Sequence, residues 1–358
     1  MKRLALAFTM IFASCVLFAQ SDLQVLAVVK LNKSESITVK QLKTRVEAYH
    51  KQTGSSLSTD DRRKVLDAMI QEKLVLQAAA KAGLTVTDSA VDEYFLQTVS
   101  QSIGRKVSEQ EFEAIVKQQT NMTLDSYMRQ QSGMSVAEYK AYLKSQMIAQ
   151  QYILSQRQNE LKSVAATDED IRHHYEMNKT SFVWNDMLKL FIVSVPSNGN
   201  VEAARVKAND LYTKYKNKKI TANQLSVDSK KENSGFFASE ALVNKSELSA
   251  QQLELSYNDL LGIFGHDKGW TSAVEEKEGG FLFYSIVNKY GAKMLTLSDI
   301  VEPDTTVTVY DYIKELLSRQ KKMEYLSGAA QEISASLDTE ANVERKKKGA
   351  DLDKLLSW

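Results

Sequence analysis

Side chains able to do covalent chemistry are few in this 358-residue chain, and their spacing suits catalysis poorly. Histidine occurs at His50, His173, His174 and His266. The neighbours His173 and His174 point to different faces of a helix, so they do not form a metal pair. His266-Asp267 is half of a base-and-orienter arrangement, but no serine elbow or thiol accompanies it. Gly-rich phosphate loops and paired-cysteine zinc spacings are absent from the sequence, so no cofactor and no metal are expected. The chemistry that remains is noncovalent. Met122, Met128, Met134 and Met147 lie close in sequence to Tyr127, Tyr139 and Tyr142. Methionine is flexible and polarizable, which suits a surface that accepts many apolar partners. Burying apolar area is worth about 25 cal/mol per Å², so a modest groove holds an unfolded segment reversibly. Met122, Tyr127, Met128, Met134, Tyr139 and Met147 are therefore the candidate client-binding set. The bland alternative for each is that it fills a helical core.

The elements that must position these residues carry clear start and stop signals. Thr38 with Gln41, Ser108 with Glu111 and Ser135 with Glu138 fit the capping box, and Thr167 with Asp170 is a shorter version. Gly54, Gly83 and Gly104 stand where helices should stop. Leu66, Met69/Ile70, Leu74 and Ala78 share one helical face, as do Val136, Tyr139, Leu143, Met147 and Leu154 in a helix expected to end near Leu161. A last helix is predicted from Val309 to Leu337. Val25–Val29 is a short β-type run. Between Phe182 and Ala292 the pattern alternates: a strand over Leu188–Val195, a helix over Val201–Lys216, another over Glu247–Leu261, then a strand over Phe281–Val287. That interleaving predicts a compact α/β unit inserted in a helical protein. The Arg345-Lys346-Lys347-Lys348 tail is expected to be frayed or a short surface helix.

Residues 1–19 read as an export signal: Lys2 and Arg3, an apolar run from Leu4 to Phe18, then small Ala19. The lone cysteine, Cys15, follows Phe12-Ala13-Ser14 in a relaxed lipobox, so lipidation there is the alternative to cleavage after Ala19. Removing the signal lowers Lys plus Arg from 46 to 44 against 45 acidic residues, a net charge near −1. Such a balance argues against a nucleic-acid binder. An exported protein has no ATP to draw on, so any assistance it gives must come from binding energy.

The succession of pieces resembles the SurA-type periplasmic chaperones over roughly residues 25 to 345. The resemblance rests on Val25–Val29, Ile37-Thr38 opening a helix, Val65-Leu66-Asp67-Ala68-Met69-Ile70, Ala79 to Asp88, and Ala166 to Ile171 with Tyr175 and Asn178. It implies an α+β fold: a helical chaperone core, closed by the chain's last helix, with an inserted parvulin-like domain. The expected boundaries are signal 1–19, helical core 20–182, parvulin-like domain 183–292, returning helical segment 293–340 and tail 341–358. By the same resemblance Leu190 and Leu282 stand where a parvulin carries histidines. Asp228 occupies the acidic position, and Phe264 the pocket aromatic. Only Asp228 keeps a polar catalytic position, so prolyl isomerisation is expected to be weak or absent. The reading that follows is an ATP-independent periplasmic chaperone of a diderm bacterium, binding unfolded envelope or outer-membrane polypeptides. The alternatives are an active parvulin-type peptidyl-prolyl isomerase and a structural adaptor. The adaptor would touch the membrane only through a lipidated Cys15.

Overall fold

A computed structural model describes residues 22–358. The expected export signal, its cleavage after Ala19 and lipidation at Cys15 fall outside the described residues. The fold is α+β, a helical unit and an α/β unit. One compact unit runs to Val164 and takes in Gln320–Trp358; the other is Ala165–Arg319.

In the first unit, β1 (Val25–Val29) and β2 (Glu35–Thr38) form an antiparallel hairpin. Thr38 ends β2 and caps α1 (Val39–Thr53), its side chain and that of Gln41 completing the capping box. Gly54 stops this helix with φ 69°, a conformation a Cβ disfavours. Helix α2 (Thr59–Lys81) buries Leu66, Ile70 and Leu74 against Leu26, Val29 and Ile37. Its Gln77, 2% exposed, accepts the Asn32 N–H at 3.0 Å and so ties the hairpin turn to the helix. Helices α3 (Asp88–Ile103), α4 (Glu109–Thr120), α5 (Leu124–Ser132) and α6 (Val136–Gln156) follow, each opened by a Ser or Thr cap. The helix expected to reach Leu161 stops at Gln156 because Arg157 leaves helical geometry, with φ −126°, before a short α7 (Gln158–Ser163).

The second unit begins with α8 (Asp168–Met177), where Asp170 completes the capping box with Thr167 despite its shorter reach. A two-residue strand β3 (Val183–Trp184) precedes β4 (Met187–Pro196), α9 (Val201–Lys216), α10 (Ala222–Ser229) and β5 (Phe237–Asn244). Then come α11 (Glu247–Gln252), α12 (Tyr257–Phe264), β6 (Glu275–Lys277), β7 (Gly280–Tyr290) and β8 (Lys293–Met294). The main sheet is antiparallel, in the order β5-β4-β7-β6. Alternation along β4 sends Phe191, Val193 and Val195 to one face, packed on Ala204 and Ala208 of α9 and Leu225 of α10. Leu188, Leu190 and Ile192 go to the other face, with Leu260 and Ile263 of α12. Pro196 ends β4 opposite Gly280, where any side chain would strike the Val195 carbonyl. The single helix expected over Glu247–Leu261 is two, because Glu254 turns left-handed (φ 53°) and the Ser256 hydroxyl, accepting the Asp259 N–H, caps a new start at Tyr257.

Helix α13 (Val309–Leu337) contributes to both units. Val309 and Ile313 pack with Ile171, Tyr175 and Leu295 in the second, while Ile333 packs with Val75, Ala79 and Tyr152 in the first. Shared packing gathers α8, Phe182, Trp184, Leu295 and the start of α13 into the second unit. The tail is neither frayed nor superficial. Strand β9 (Val343–Arg345) pairs with β1, and α14 (Gly349–Leu356) buries Leu352 and Leu356 in the Leu26/Leu66 core. Three residues are too few for a strand pattern, and the run of cations hid it; Arg345 is in fact held by Asp338 at 2.6 and 2.8 Å.

Candidate functional site

In the helical unit, α3 to α6 surround an open hollow of about 540 Å³. Its wall is aromatic because Phe95, Phe112 and Tyr139 fall on the inner faces of three capped helices. Phe95 meets Phe112 edge-on at 6.3 Å and Tyr139 at 6.1 Å, and Phe112 meets Tyr127 at 6.5 Å. Such T-shaped pairs place a ring edge on a ring face and hold the wall without filling the space. Val99, Ile115 and Met128 complete the apolar lining, and Ser102 and Gln119 supply polar groups. Lys140 lies 5.3 Å over the Phe95 ring, gripped by Asp92 at 2.9 Å and Glu109 at 2.8 Å. Those two carboxylates hold the Lys140 ammonium above its usual pKa even though burial works the other way. The charge is thereby kept out of the hollow while its stem covers the aromatic cluster. A concave, mostly apolar site of this volume with a few polar groups is the geometry of a binding pocket.

The candidate set divides. Tyr127, Met128 and Tyr139 share the aromatic hollow. Met134 lines a second hollow of about 650 Å³ with Met69, Leu76 and Tyr142. Met147 lines a third, of about 530 Å³, with Tyr94, Ile153 and Leu326. Met122 is half-buried and lines none of these three. The set is spread over three separate hollows around α6, because Met128 sits on α5, Met134 in the loop between α5 and α6, and Met147 on α6 itself. Phe95 and Phe112 were missed by attending to methionine and tyrosine. The signal was there in Val91, Phe95 and Val99, and in Phe112 and Val116, each at i, i+4 spacing.

On the sheet face expected to hold a catalytic centre both histidine positions are apolar, and the polar groups nearby are Tyr284, whose hydroxyl donates to Glu275 at 3.0 Å, and the buried Ser272. Leu190 is fully buried and Leu282 half-buried among Ile192, Tyr284, Ile286, Leu260 and Trp270. Strand register opposes Leu190 to Ile286 and Leu282 to Ser194. The two positions are thus four residues apart along the ladder, about 13 Å, and are not partners. Asp228 does not join them. It sits on α10, which packs through Leu225 on the opposite, Phe191 face of the sheet. Its carboxylate meets Lys231 at 2.6 Å and Gln224 at 3.4 Å, and the Lys231 bond holds it below the usual carboxylate pKa. Phe264 packs into the Leu190 cluster with Lys245 5.7 Å over its ring.

The histidines are dispersed. His266 stacks on Trp270 with ring centroids 4.0 Å apart, and His174 touches Phe182 edge-on. His173 and His50 are exposed. Among the described residues no group of three or more His, Cys, Asp or Glu side chains could hold a metal ion. Nor is any helix among them long and apolar enough to cross a membrane.

Residues 3–102 match the family model of the SurA-like N-terminal domain. A chaperone SurA from Chromohalobacter salexigens is 26% identical over 223 residues, 59% of this chain. The match spans about half, 46%, of that relative's length. Among solved structures, one of two structurally related SurA-like chaperones of Campylobacter jejuni aligns at 18% identity with TM-score 0.33, covering 90% of this chain and 99% of that one. PrsA from Bacillus subtilis aligns at 15% identity with TM-score 0.29, covering 94% and 99%.

Proposed function

We propose, taking the SurA-like N-terminal domain as the premise, that this chain is an exported, ATP-independent holdase for unfolded polypeptides. Envelope or outer-membrane proteins would be its clients. The observation that carries the reading is the open aromatic hollow walled by Phe95, Phe112, Tyr127 and Tyr139. Apolar side chains of a client would enter it, while Ser102 and Gln119 meet the client's polar groups at the rim. Binding would be reversible, since only a small apolar area is covered at about 25 cal/mol per Å². The isomerase alternative draws no support from a sheet face filled by Leu190, Ile192 and Leu282.

The test is aggregation suppression of a urea-unfolded outer-membrane β-barrel protein on dilution, by the full chain and by Ser102→Trp. Ser102 is exposed at the mouth of the hollow, so an indole there fills space without disturbing packed neighbours. Suppression by the parent chain and its loss in the variant is the expected result. Equal suppression by both, with unchanged thermal unfolding, would remove the hollow from the mechanism.

A further inference from the structure

An unpaired sheet edge is a template for another chain, and folded proteins blunt such edges with short strands, charges or proline. Most edges here are blunted. Strand β2 has four residues, β6 is Glu275-Glu276-Lys277, β9 is Val343-Glu344-Arg345, and β3 and β8 have two residues each. Strand β5 is different. It has eight residues, Phe-Ala-Ser-Glu-Ala-Leu-Val-Asn, and stands outermost beside β4. It contains no proline or lysine. Its one charge, Glu240, is drawn to Lys189 of β4 at 2.7 Å. Phe237 is 68% exposed and Leu242 40%, on opposite faces of the sheet.

In an antiparallel pair the N–H and C=O of alternate residues point inward and outward. Two bonds fix the phase. The Lys245 N–H donates inward to the Asp186 carbonyl at 2.9 Å, and the Ala238 carbonyl accepts from Ser229 of α10 at 3.5 Å. Ala238, Glu240, Leu242 and Asn244 therefore turn their main-chain groups away from β4. The Asn244 carbonyl accepts the Ser246 N–H. Glu240 and Leu242, both exposed, keep four main-chain groups with no protein partner among the described residues. On the Phe191 face, Glu240 borders a hollow of about 780 Å³ floored by Tyr215 and Val287, with Lys218 and Lys268 at its rim. Both lysines are exposed, and neither has an acidic partner among the described residues.

We propose that β5 takes an extended, β-prone segment of an unfolded polypeptide by strand addition, with an acidic side chain of that segment reaching Lys218 and Lys268. The main-chain groups of Glu240 and Leu242 require an extended backbone, and the two lysines require the carboxylate. A second copy of β5 fits less well. Its one acidic side chain, Glu240, is held by its own Lys189 at 2.7 Å and is not free to reach Lys218 and Lys268. The proposal shares with the holdase reading only the class of ligand and uses a different surface.

The experiment measures binding of a fluorescein-labelled peptide of about ten residues, alternating Thr and Val with one Glu, to the full chain by anisotropy. Leu242→Pro removes an outward N–H while leaving the inward ladder intact, and Leu242→Lys charges the edge. Each is expected to weaken binding about tenfold, whereas Leu242→Val retains it. N-methylating the peptide's backbone amides should abolish binding, and replacing its Glu by Gln should weaken it. If Leu242→Pro fails to fold, Leu242→Lys and the methylated peptide carry the test. Equal binding of the methylated peptide, or undiminished binding by the charged variant, would overturn strand addition. So would a β5-dependent dimer in sedimentation that binds no peptide. Ser102→Trp separates the two readings: it should leave peptide binding unchanged, and loss there would move the peptide into the helical hollow.

Discussion

Two apolar regions of this chain are built from different side chains and end differently. On the Leu190 face of the sheet, Leu188, Leu190, Ile192 and Ile286 meet Leu260, Ile263 and Phe264, and the space is filled. Between α3 and α6, Phe95, Phe112, Tyr127 and Tyr139 meet at ring edges and leave an open space. Side-chain shape and backbone geometry together separate these outcomes. Aliphatic side chains alternating on a pleated strand interdigitate with a helix, whereas large rings on diverging helices touch at their rims. Incomplete packing leaves open space between α3 and α6, whereas the Leu190 face contributes stability.

The largest expected effect breaks the filled region. Leu190→Ala opens a cavity at a fully buried position and should destabilise the α/β unit by about 2–5 kcal/mol, read from urea unfolding of the full chain. Placing two histidines at once, Leu190→His with Leu282→His, should destabilise similarly. It should yield no turnover in a protease-coupled prolyl peptide assay, since the two positions lie four residues apart on the ladder. Isomerisation above background in that double variant would show that the filled face conceals a competent site.

The next truncation is matched in kind and opposite in readout. Phe112→Ala removes a half-exposed ring from the hollow's wall, so the loss of stability should stay near 1–2 kcal/mol. Aggregation suppression should fall sharply, while Leu190→Ala should leave it intact at temperatures where the chain stays folded. Reversal of that pattern would erase the distinction between the two regions.

How much of this was legible follows from the range of the interaction involved. Capping boxes at Thr38, Ser108, Ser135 and Thr167 are local, and each is formed. Strand β1 and helix α13 have the bounds their apolar spacing implied. The α+β architecture was legible for the same reason. The candidate site was legible only in part: Tyr127, Met128 and Tyr139 are brought together, but Met134 and Met147 face other hollows. Which face of a helix meets a partner is decided by the neighbour, and residue type alone does not report it. Asp228 illustrates the same limit, because the side of a sheet on which a helix packs depends on the path of the connecting chain. The tail illustrates it most strongly: β9 finds β1 across more than three hundred residues, beyond any window of periodicity.

A smaller effect tests that distant closure. Trp358 lies under the guanidinium of Arg62, 4.6 Å from the ring centroid, with Lys43 at 5.5 Å. Trp358→Ala should lower the stability of the helical unit by about 0.5–1 kcal/mol, the range for an exposed cation–π contact. Its midpoint in urea should shift modestly without a change in slope, since the Leu352 and Leu356 burial that anchors α14 remains.

The smallest effect concerns a polar anchor of the packed unit. Asp299 turns the chain into α13. Its carboxylate accepts from the Thr296 N–H and hydroxyl, both at 2.8 Å, and pairs with Lys293 at 2.7 Å, while its carbonyl accepts the Val309 N–H. Lys293 and the Thr296 bonds hold its pKa down at about 2, against a usual 3.8. A carboxylate whose folded pKa is depressed stabilises the fold fully above its unfolded pKa, and that contribution disappears as pH falls through the folded value. Asp299→Asn should therefore be less stable than the parent by a constant margin above about pH 5. The margin should shrink between pH 3.8 and about 2, where the parent's own carboxylate takes up its proton. Carbon-13 titration of the carboxyl reads the same quantity directly, and a midpoint near 3.8 would mean that the anchor contributes nothing to the packed side of the comparison.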